Sequence, residues 1–486
     1  MVRFSFAKDP ETAVKGSGSV MVVAPAAYYR RRGAFSFLAP AHRKLISALA
    51  QDTLPGLYGN AASTLTGVDA PKRLVIGVLP DRVSRYNAAS RPSAIQRVMQ
   101  SANLSRAKRS ALIVVLDKPE HQTSVLNAIG RAFPIFSAKS EEQPQGRLQI
   151  CMITKSGEPV PIASNAKDVA STSREVAALV DSPPTDMHPE ALAAQAKLLL
   201  KGVKRVRFKE LAGEQLLKNG LNGIHAVGRS AVVAPRLFMA SYTPAKASDQ
   251  HIALVGKGVT FDTGGLHLKP RGAMEGMKVD MGGAAAVLGA FRVLSQNDCR
   301  HRLTLLLCLA ENAIGPEALK PDDIIEMHSG RTVEINNTDA EGRLLLADGV
   351  SYASRNLKAD IIFDAATLTG AQLIATGSAH GAVMANDAAL EQLTVKAGFD
   401  SGDLVHPLPF APEFYKPEFK SPVADMRNSV KNRANAQTSC AGQFIHNHLE
   451  GTGARWCHVD LAGPAFRGDR GTGFGVALLS QAISQL

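Results

Sequence analysis

Between positions 337 and 343 the sequence reads Asn-Thr-Asp-Ala-Glu-Gly-Arg, and it then turns apolar through 344–347. Two carboxylates and a guanidinium stand at every second position. Side chains at i, i+2 and i+4 share a face when the backbone is extended. The spacing therefore predicts that Asp339, Glu341 and Arg343 converge on one site from a loop or strand end. Two acids beside a cation form half of a metal site, and the counterparts lie upstream: Lys257, Asp262, Lys269 and Asp280. Four carboxylates sharing one site cannot all ionise without added positive charge. Two divalent cations supply that charge, and oxygen-rich ligation suits Mg, Mn or Zn. Such a pair can activate a water, polarise a carbonyl and clamp a substrate. A lysine ligand must be neutral, and burial beside cations lowers its pKa. The bland alternative is a scatter of surface acids and strand-end lysines. It suits any one of these residues, but not the set, which shares glycine-flanked strand-end contexts at Gly256, Gly258, Gly264, Gly265, Gly282 and Gly283.

These residues need elements to hold them. Apolar runs at 252–255, 303–309 and 360–363 read as strands, and 284–294 and 344–354 as helices. The alternation predicts a mixed or mostly parallel sheet flanked by helices, with ligands beyond the carboxyl ends of its strands. Lys257 and Asp262 are expected at such ends. The first third alternates strands at 74–79 and 111–116 with helices at 93–100 and 123–132, and it holds no convergent acids. A helix over 168–180, closed by Ser182-Pro183-Pro184, reads as the link to the second domain; a helix over 191–200 and a strand over 203–208 come next. The expected fold is α/β in two domains. A smaller N-terminal domain spans 1–165, and a larger catalytic domain spans 166–486, with a linking helix and turn at 166–190.

At 486 residues the chain exceeds one ordinary core. Its 45% hydrophobic and 20% charged content fits a soluble globular protein. The longest apolar runs, such as 303–310, are too short for a bilayer, and the N-terminus shows no apolar leader. Five cysteines without a C-x-x-C pair fit a reducing compartment, so a cytoplasmic location and no membrane partner are expected. The formal net charge of +12 is uneven: residues 1–165 carry 22 Lys and Arg against 10 Asp and Glu, leaving 33 of each sign in the remainder. The basic clusters Arg30-Arg31-Arg32, Arg43-Lys44 and 106–109 admit an alternative reading, a nucleic-acid-binding N-terminal domain on an enzyme scaffold. Sparse aromatics and the lack of a reading-helix motif weigh against it. No H-E-x-x-H is present, and His446-Asn-His448 reads as a helix or loop surface feature.

The segments Val255-Gly-Lys-Gly-Val-Thr-Phe-Asp-Thr-Gly-Gly265, Asp280-Met-Gly-Gly283 and Asn337-Thr-Asp-Ala-Glu-Gly-Arg343 resemble the leucyl aminopeptidases of the cytosol aminopeptidase (M17) family. Ala366-Thr-Leu-Thr-Gly370 and Asp460-Leu-Ala-Gly-Pro464 look similar too, over roughly 170–486. Pro321-Asp-Asp-Ile-Ile325 and the doubled Asn336-Asn337 resemble most its eukaryotic leucyl-aminopeptidase-like branch. The resemblance implies a metalloexopeptidase that releases leucine and other apolar residues from the N-termini of peptides. It implies two divalent metals per subunit, Zn or Mn with Mg or Co as alternatives. Lys257, Asp262, Asp280 and Glu341 would hold the tighter one, and Asp262, Asp339 and Glu341 the exchangeable one. Lys269 would stabilise the oxyanion, and Arg343 would hold a bicarbonate. Met277, Thr367, Gly370 and a residue near Ala441 would line the specificity pocket. A homohexamer built as a dimer of trimers is implied as well. Thr263, where many members have Ser, and the divergent stretch 438–444 bear on side-chain preference.

Overall fold

The structure is a computed structural model, and it describes residues 2–102, 104, 108–141, 145–246 and 250–486. Part of the basic run at 106–109 (positions 106 and 107) lies outside the described residues. The chain forms two compact units. One is Met1–Arg174 with Phe399–Gly402, and the other is Glu175–Gly398 with Asp403–Leu486. Among the described residues, no helix is long and apolar enough to cross a membrane.

The first unit is built on a sheet in the order Val2–Phe6, Gly146–Thr154, Arg109–Leu116, Ser19–Pro25, Arg73–Leu79 and Asn60–Leu65. Only the Asn60–Leu65 edge of this path runs antiparallel. Strands covered on both faces read as continuous apolar runs rather than alternating ones. Ser19–Pro25 is buried at every position. Its odd residues Met21 and Val23 join Val98, Leu126 and Ile129 of the helices Pro92–Ser101 and Gln122–Arg131. Its even residues Val20 and Val22 join Ala13, Tyr29 and Ile46 on the other side. The two cores follow from the period of two along a strand.

The second unit holds an eight-stranded mixed sheet. Its order is Val405–Pro407, Gly381–Ala385, Arg455–Asp460, Ile361–Ala366, His251–Asp262, Arg302–Asn312, Arg236–Tyr242 and Val206–Ala212. The four strands at its centre, from Arg455–Asp460 to Arg302–Asn312, are mutually parallel. Helices Gly282–Gln296 and Gly342–Arg355 cover opposite faces of the central strand. Both begin with close approaches that exclude a side chain. A Cβ on Gly283 would strike the Ala365 carbonyl, and one on Gly342 would strike the Lys257 side chain. A small separate sheet joins Ile324–Glu326, Thr332–Glu334 and Met426–Arg427.

Three elements differ from the sequence reading. The strand expected at 252–255 continues to Asp262, because Gly256, Lys257 and Gly258 stay in the ladder opposite Leu307, Cys308 and Leu309. Lys257 therefore stands within a strand, not at its end. The strand expected at 203–208 is Val206–Ala212, shifted toward the antiparallel partner that it pairs with along its whole length. The helix at 168–180 begins earlier and runs Ser164–Asp181.

Candidate active site

Lys257 and Asp262 come from one strand, five positions apart. In a regular strand an odd separation places two side chains on opposite faces. The ladder shifts register between Val259 and Asp262. An irregularity of this kind re-aims the residues beyond it. Asp262 consequently joins Asp280 and Glu341 in one group, with an oxygen of each within 4.8 Å of the others. Asp280 is delivered by the 3₁₀ helix Met277–Met281.

Glu341 arrives differently from the sequence reading. The 337–341 segment is not extended. It is a turn in which the Asp339 N–H donates to Asn337 Oδ1 at 3.0 Å and the Ala340 N–H to Asn337 O at 3.2 Å. Glu341 already has helical dihedrals (φ −75, ψ −37), and Gly342 starts the helix. Arg343 is thus a first-turn helical residue rather than the third member of an extended face. Its Nη1 donates to the Asn428 carbonyl at 3.0 Å. The asparagine that closes the turn, and the close fit of Gly342 on Lys257, favour a turn and helix start over a strand.

Two lysines tie the acids together. Lys257 Nζ lies 2.7 Å from Asp280 Oδ1 and 3.0 Å from Glu341 Oε1, and it donates to the Thr367 carbonyl at 2.9 Å. Lys269 Nζ lies 2.7 Å from Asp262 Oδ2 and 2.6 Å from Asp339 Oδ1. Lys257, Asp262, Asp280 and Glu341 are 3%, 3%, 6% and 2% exposed, so this is a buried charge cluster and not a solvated face. Asp339 sits at its rim, with its side chain 36% exposed.

The electrostatics show a shortage of positive charge. Burial raises the Asp280 carboxyl well above the usual range; Lys257 opposes this, while Glu341 and Asp262 add to it. Burial, with Asp262 beside it, raises Glu341 to about 6 against the pull of Lys257. Burial also raises Asp339. Burial disfavours the Lys257 ammonium, but Asp280, Glu341 and Asp262 outweigh it and hold the lysine charged. Arg343, 9% exposed, is lowered to about 10 by burial, with Glu341 opposing. Asp280 Oδ2 and Arg343 Nε are buried without hydrogen-bond partners. An orphaned carboxylate oxygen among crowded acids is a donor set that fits a cation.

Of the expected pocket residues, Thr367 bonds directly to the cluster and Met277 shares the helix of Asp280. Met277 opens the Asp280 helix. Thr367 Oγ1 donates to Asp280 Oδ1 at 2.9 Å. Gly370 begins the helix Gly370–Thr376, with open space where a side chain would be. Ala441 is fully buried in the helix Gln437–Asn447, whose Thr438 hydroxyl bonds that of Thr369 at 3.0 Å.

Sequence reasoning missed several supports. Asn312 donates from Nδ2 to Asp262 Oδ1 at 2.8 Å and to the Thr338 carbonyl at 3.2 Å. Asp460 Oδ1 accepts from the Leu368 N–H at 3.1 Å, and its Oδ2 accepts from Thr369 Oγ1 at 2.7 Å, which fixes the loop carrying Thr367. An asparagine ending an apolar strand was the available signal for Asn312. The pair at 446 and 448 is not a surface feature. His448 is fully buried, its Nδ1 pairs with Ser329 Oγ at 2.6 Å, and burial lowers both imidazoles, to about 4 and about 3.

A parallel-centred α/β sheet that brings three buried acids and a lysine together around one strand with a register shift belongs to the class of α/β proteins with a candidate metal centre. Residues 175–480 match the catalytic domain of the cytosol aminopeptidase family, and residues 35–142 match the M17 aminopeptidase N-terminal domain 2. The chain belongs to the M17 cytosol aminopeptidase family, and it is a peptidase. It is 45% identical over 418 residues to the "Probable aminopeptidase NPEPL1" of Homo sapiens, covering 83% of this chain and 78% of that one. The apo leucyl aminopeptidase of Trypanosoma cruzi superimposes with a TM-score of 0.91 at 37% identity, over 100% of this chain and 97% of that one. The bottromycin maturation enzyme BotP in complex with Mn superimposes with a TM-score of 0.79 at 27% identity, over 97% and 99%.

Proposed function

We propose that this chain is a two-metal aminopeptidase that releases leucine and other apolar residues from the N-termini of peptides. The observation that carries this reading is the buried group of Asp262, Asp280 and Glu341, which has one orphaned carboxylate oxygen and is paired to the ammoniums of Lys257 and Lys269. Lys257, Asp262, Asp280 and Glu341 would hold one divalent cation, Zn or Mn in preference to Mg or Co. Asp262, Asp339 and Glu341 would hold the second, more exchangeable one, consistent with the exposure of Asp339. Bound there, the cations supply Lewis-acid activation of a water and of the scissile carbonyl.

The remaining work falls to the side chains. Lys269, now paired with Asp262 and Asp339, is placed to turn its ammonium toward the oxyanion of the tetrahedral intermediate. A donor aimed in this way is worth about 10²–10³ in rate. Arg343, with its unpartnered Nε, would hold a bicarbonate, which would supply a proton carrier beside the cluster. Met277, Thr367 and Gly370 line the pocket for the released side chain. The family likeness extends the reading to a homohexamer in the cytoplasm.

Hydrolysis of leucyl reporter amides after chelation and re-addition of each metal tests the proposal. Activity is expected to vanish on chelation and return with Mn or Zn, and Asp339→Ala and Glu341→Ala are expected to lose at least about 10²-fold. Unchanged activity in both variants overturns the site assignment. A strong, salt-dependent shift of duplex DNA with no hydrolysis under any metal favours the nucleic-acid alternative.

A further inference from the structure

Asn428 is fully buried and comes directly after the short strand Met426–Arg427, which pairs in parallel with Thr332–Glu334. Its N–H donates to the Glu334 carbonyl at 3.0 Å, one step beyond the last paired residues. Past that point the 336–341 loop has no strand partner, and the Asn428 side chain takes over. Oδ1 accepts from the N–H groups of Asn336 at 2.9 Å and Asn337 at 3.2 Å. Nδ2 donates to the carbonyls of Asn337 at 2.6 Å and Ala340 at 3.3 Å. An asparagine amide has two donors and two acceptor lone pairs, and here all are spent on one loop. The Asn428 backbone carbonyl is the acceptor for Arg343 Nη1 at 3.0 Å. Outside this clasp, Asn336 and Ser429 bond reciprocally, Oδ1 to N–H and Nδ2 to O, each at 2.9 Å.

We propose that Asn428 is a positioning residue: its amide presets the turn that carries Asp339 and delivers Glu341, and its carbonyl sets Arg343, so that these groups meet the cations and the anion without rearrangement. The inference rests on the two-metal reading of the site. A role in loop stability alone would require only that the turn be held. What points further is where the side-chain amide and the carbonyl bond: the turn at Asn336 and Asn337 that leads into Asp339, Ala340 between Asp339 and Glu341, and the Arg343 guanidinium. Partners that orient metal ligands in this way are worth about 10–100-fold in metal affinity or activity.

Asn428→Asp is the sharpest probe. It keeps the size and both acceptor positions, but it sets a carboxylate oxygen against the Asn337 and Ala340 carbonyls. Asn336→Ala opens only the outer clasp at a partly buried position, and it decides the question if the Asp variant does not fold. Full-length proteins are stripped by chelation. Zn and Mn binding is then measured by competition with a fluorescent indicator, beside melting temperature and the kcat and KM for a leucyl amide. The expected result for Asn428→Asp is a second equivalent of metal bound about 10–100-fold more weakly, an unchanged KM, and a kcat that largely recovers at saturating metal. Asn336→Ala shifts in the same direction by less. If the variants melt lower but bind metal and turn over like the wild type, Asn428 is only structural and the proposal is overturned. A wild type that binds no metal and hydrolyses nothing overturns the two-metal reading, and the role of Asn428 with it. That outcome is distinct from variants matching an active wild type.

Discussion

At the scale of residues, the site balances charge with lysines that have different neighbours. Lys257 is enclosed by Asp280 and Glu341, whereas Lys269 bridges buried Asp262 and the half-exposed Asp339. Lys269 is therefore the more open of the two, its side chain 14% exposed against 3% for Lys257. A group that acts only on the oxyanion lowers kcat and kcat/KM together when it is removed. For Lys269→Met the expected outcome is a fall of about 10²–10³ in both, with KM nearly constant. Steady-state kinetics on a leucyl amide check this; a rise in KM at unchanged kcat would assign Lys269 to ground-state binding instead. The types and rough neighbourhood of these residues were legible in the sequence, because acids and lysines beside glycines in otherwise apolar runs are conspicuous. The convergence of Lys257 and Asp262 was not, because it depends on a register shift that no residue type announces. Asn312 and Asn428 were hidden for a related reason: an amide that bonds backbone leaves no periodic pattern.

At the scale of elements, helix Gly342–Arg355 joins the site to the rest of its unit. Glu341 precedes its first turn, and Asp348 sits midway along it, fully buried. Asp348 Oδ1 accepts from the His328 N–H and Oδ2 from the Ile224 N–H, both at 3.0 Å. It thereby ties the helix to the turn after Ile324–Glu326 and to the start of Asn222–Gly228. Burial raises this carboxyl to about 7, with the N–H groups of His328, Ile224 and Gly223 opposing. The folded-state pKa lies above the unfolded value of about 3.9, so the native state retains a proton that the unfolded chain releases. The group's stabilising effect is full below about pH 4 and is lost as pH rises through 7. Asp348→Ala is expected to destabilise by about 1–3 kcal/mol, since it strands buried donors, and to flatten the fall in stability between pH 4 and 7. Urea melts across that range test it; an unaltered pH slope would sink the assignment. The sequence located this helix to within two residues at its start, because its apolar period is strong. The same periodic reasoning failed just upstream, where Asn337 and Gly342 impose a turn that alternation had cast as extended.

At the scale of the whole molecule, the charge excess and the chemistry occupy different parts of the chain. The basic surplus lies in residues 1–165, while every acid and lysine of the site falls in the unit Glu175–Gly398 with Asp403–Leu486. The first third was legible as α/β from its apolar strands, yet its purpose was not, because surplus charge names no ligand. The second unit gathers four carboxylates, three of them buried, around two ammoniums, and burial there raises the carboxyls of Asp280, Asp339 and Glu341. A cation that binds only the folded chain stabilises it by RT ln(1 + [L]/Kd), about 4.1 kcal/mol at a thousandfold excess over Kd. Adding Mn or Zn to chelated protein at pH 7 is therefore expected to raise its melting temperature in a concentration-dependent way. The rise is expected to disappear in Asp262→Ala, which removes the acid shared by both proposed sites. Mg is expected to act more weakly, because it gives up its waters reluctantly and prefers an octahedral oxygen shell that a lysine nitrogen does not complete. Scanning calorimetry across a metal titration reads all three effects. A wild type whose transition ignores every cation would mean that the lysines alone neutralise the cluster, and the orphaned oxygen of Asp280 would then be a cost of folding rather than a preparation for a ligand.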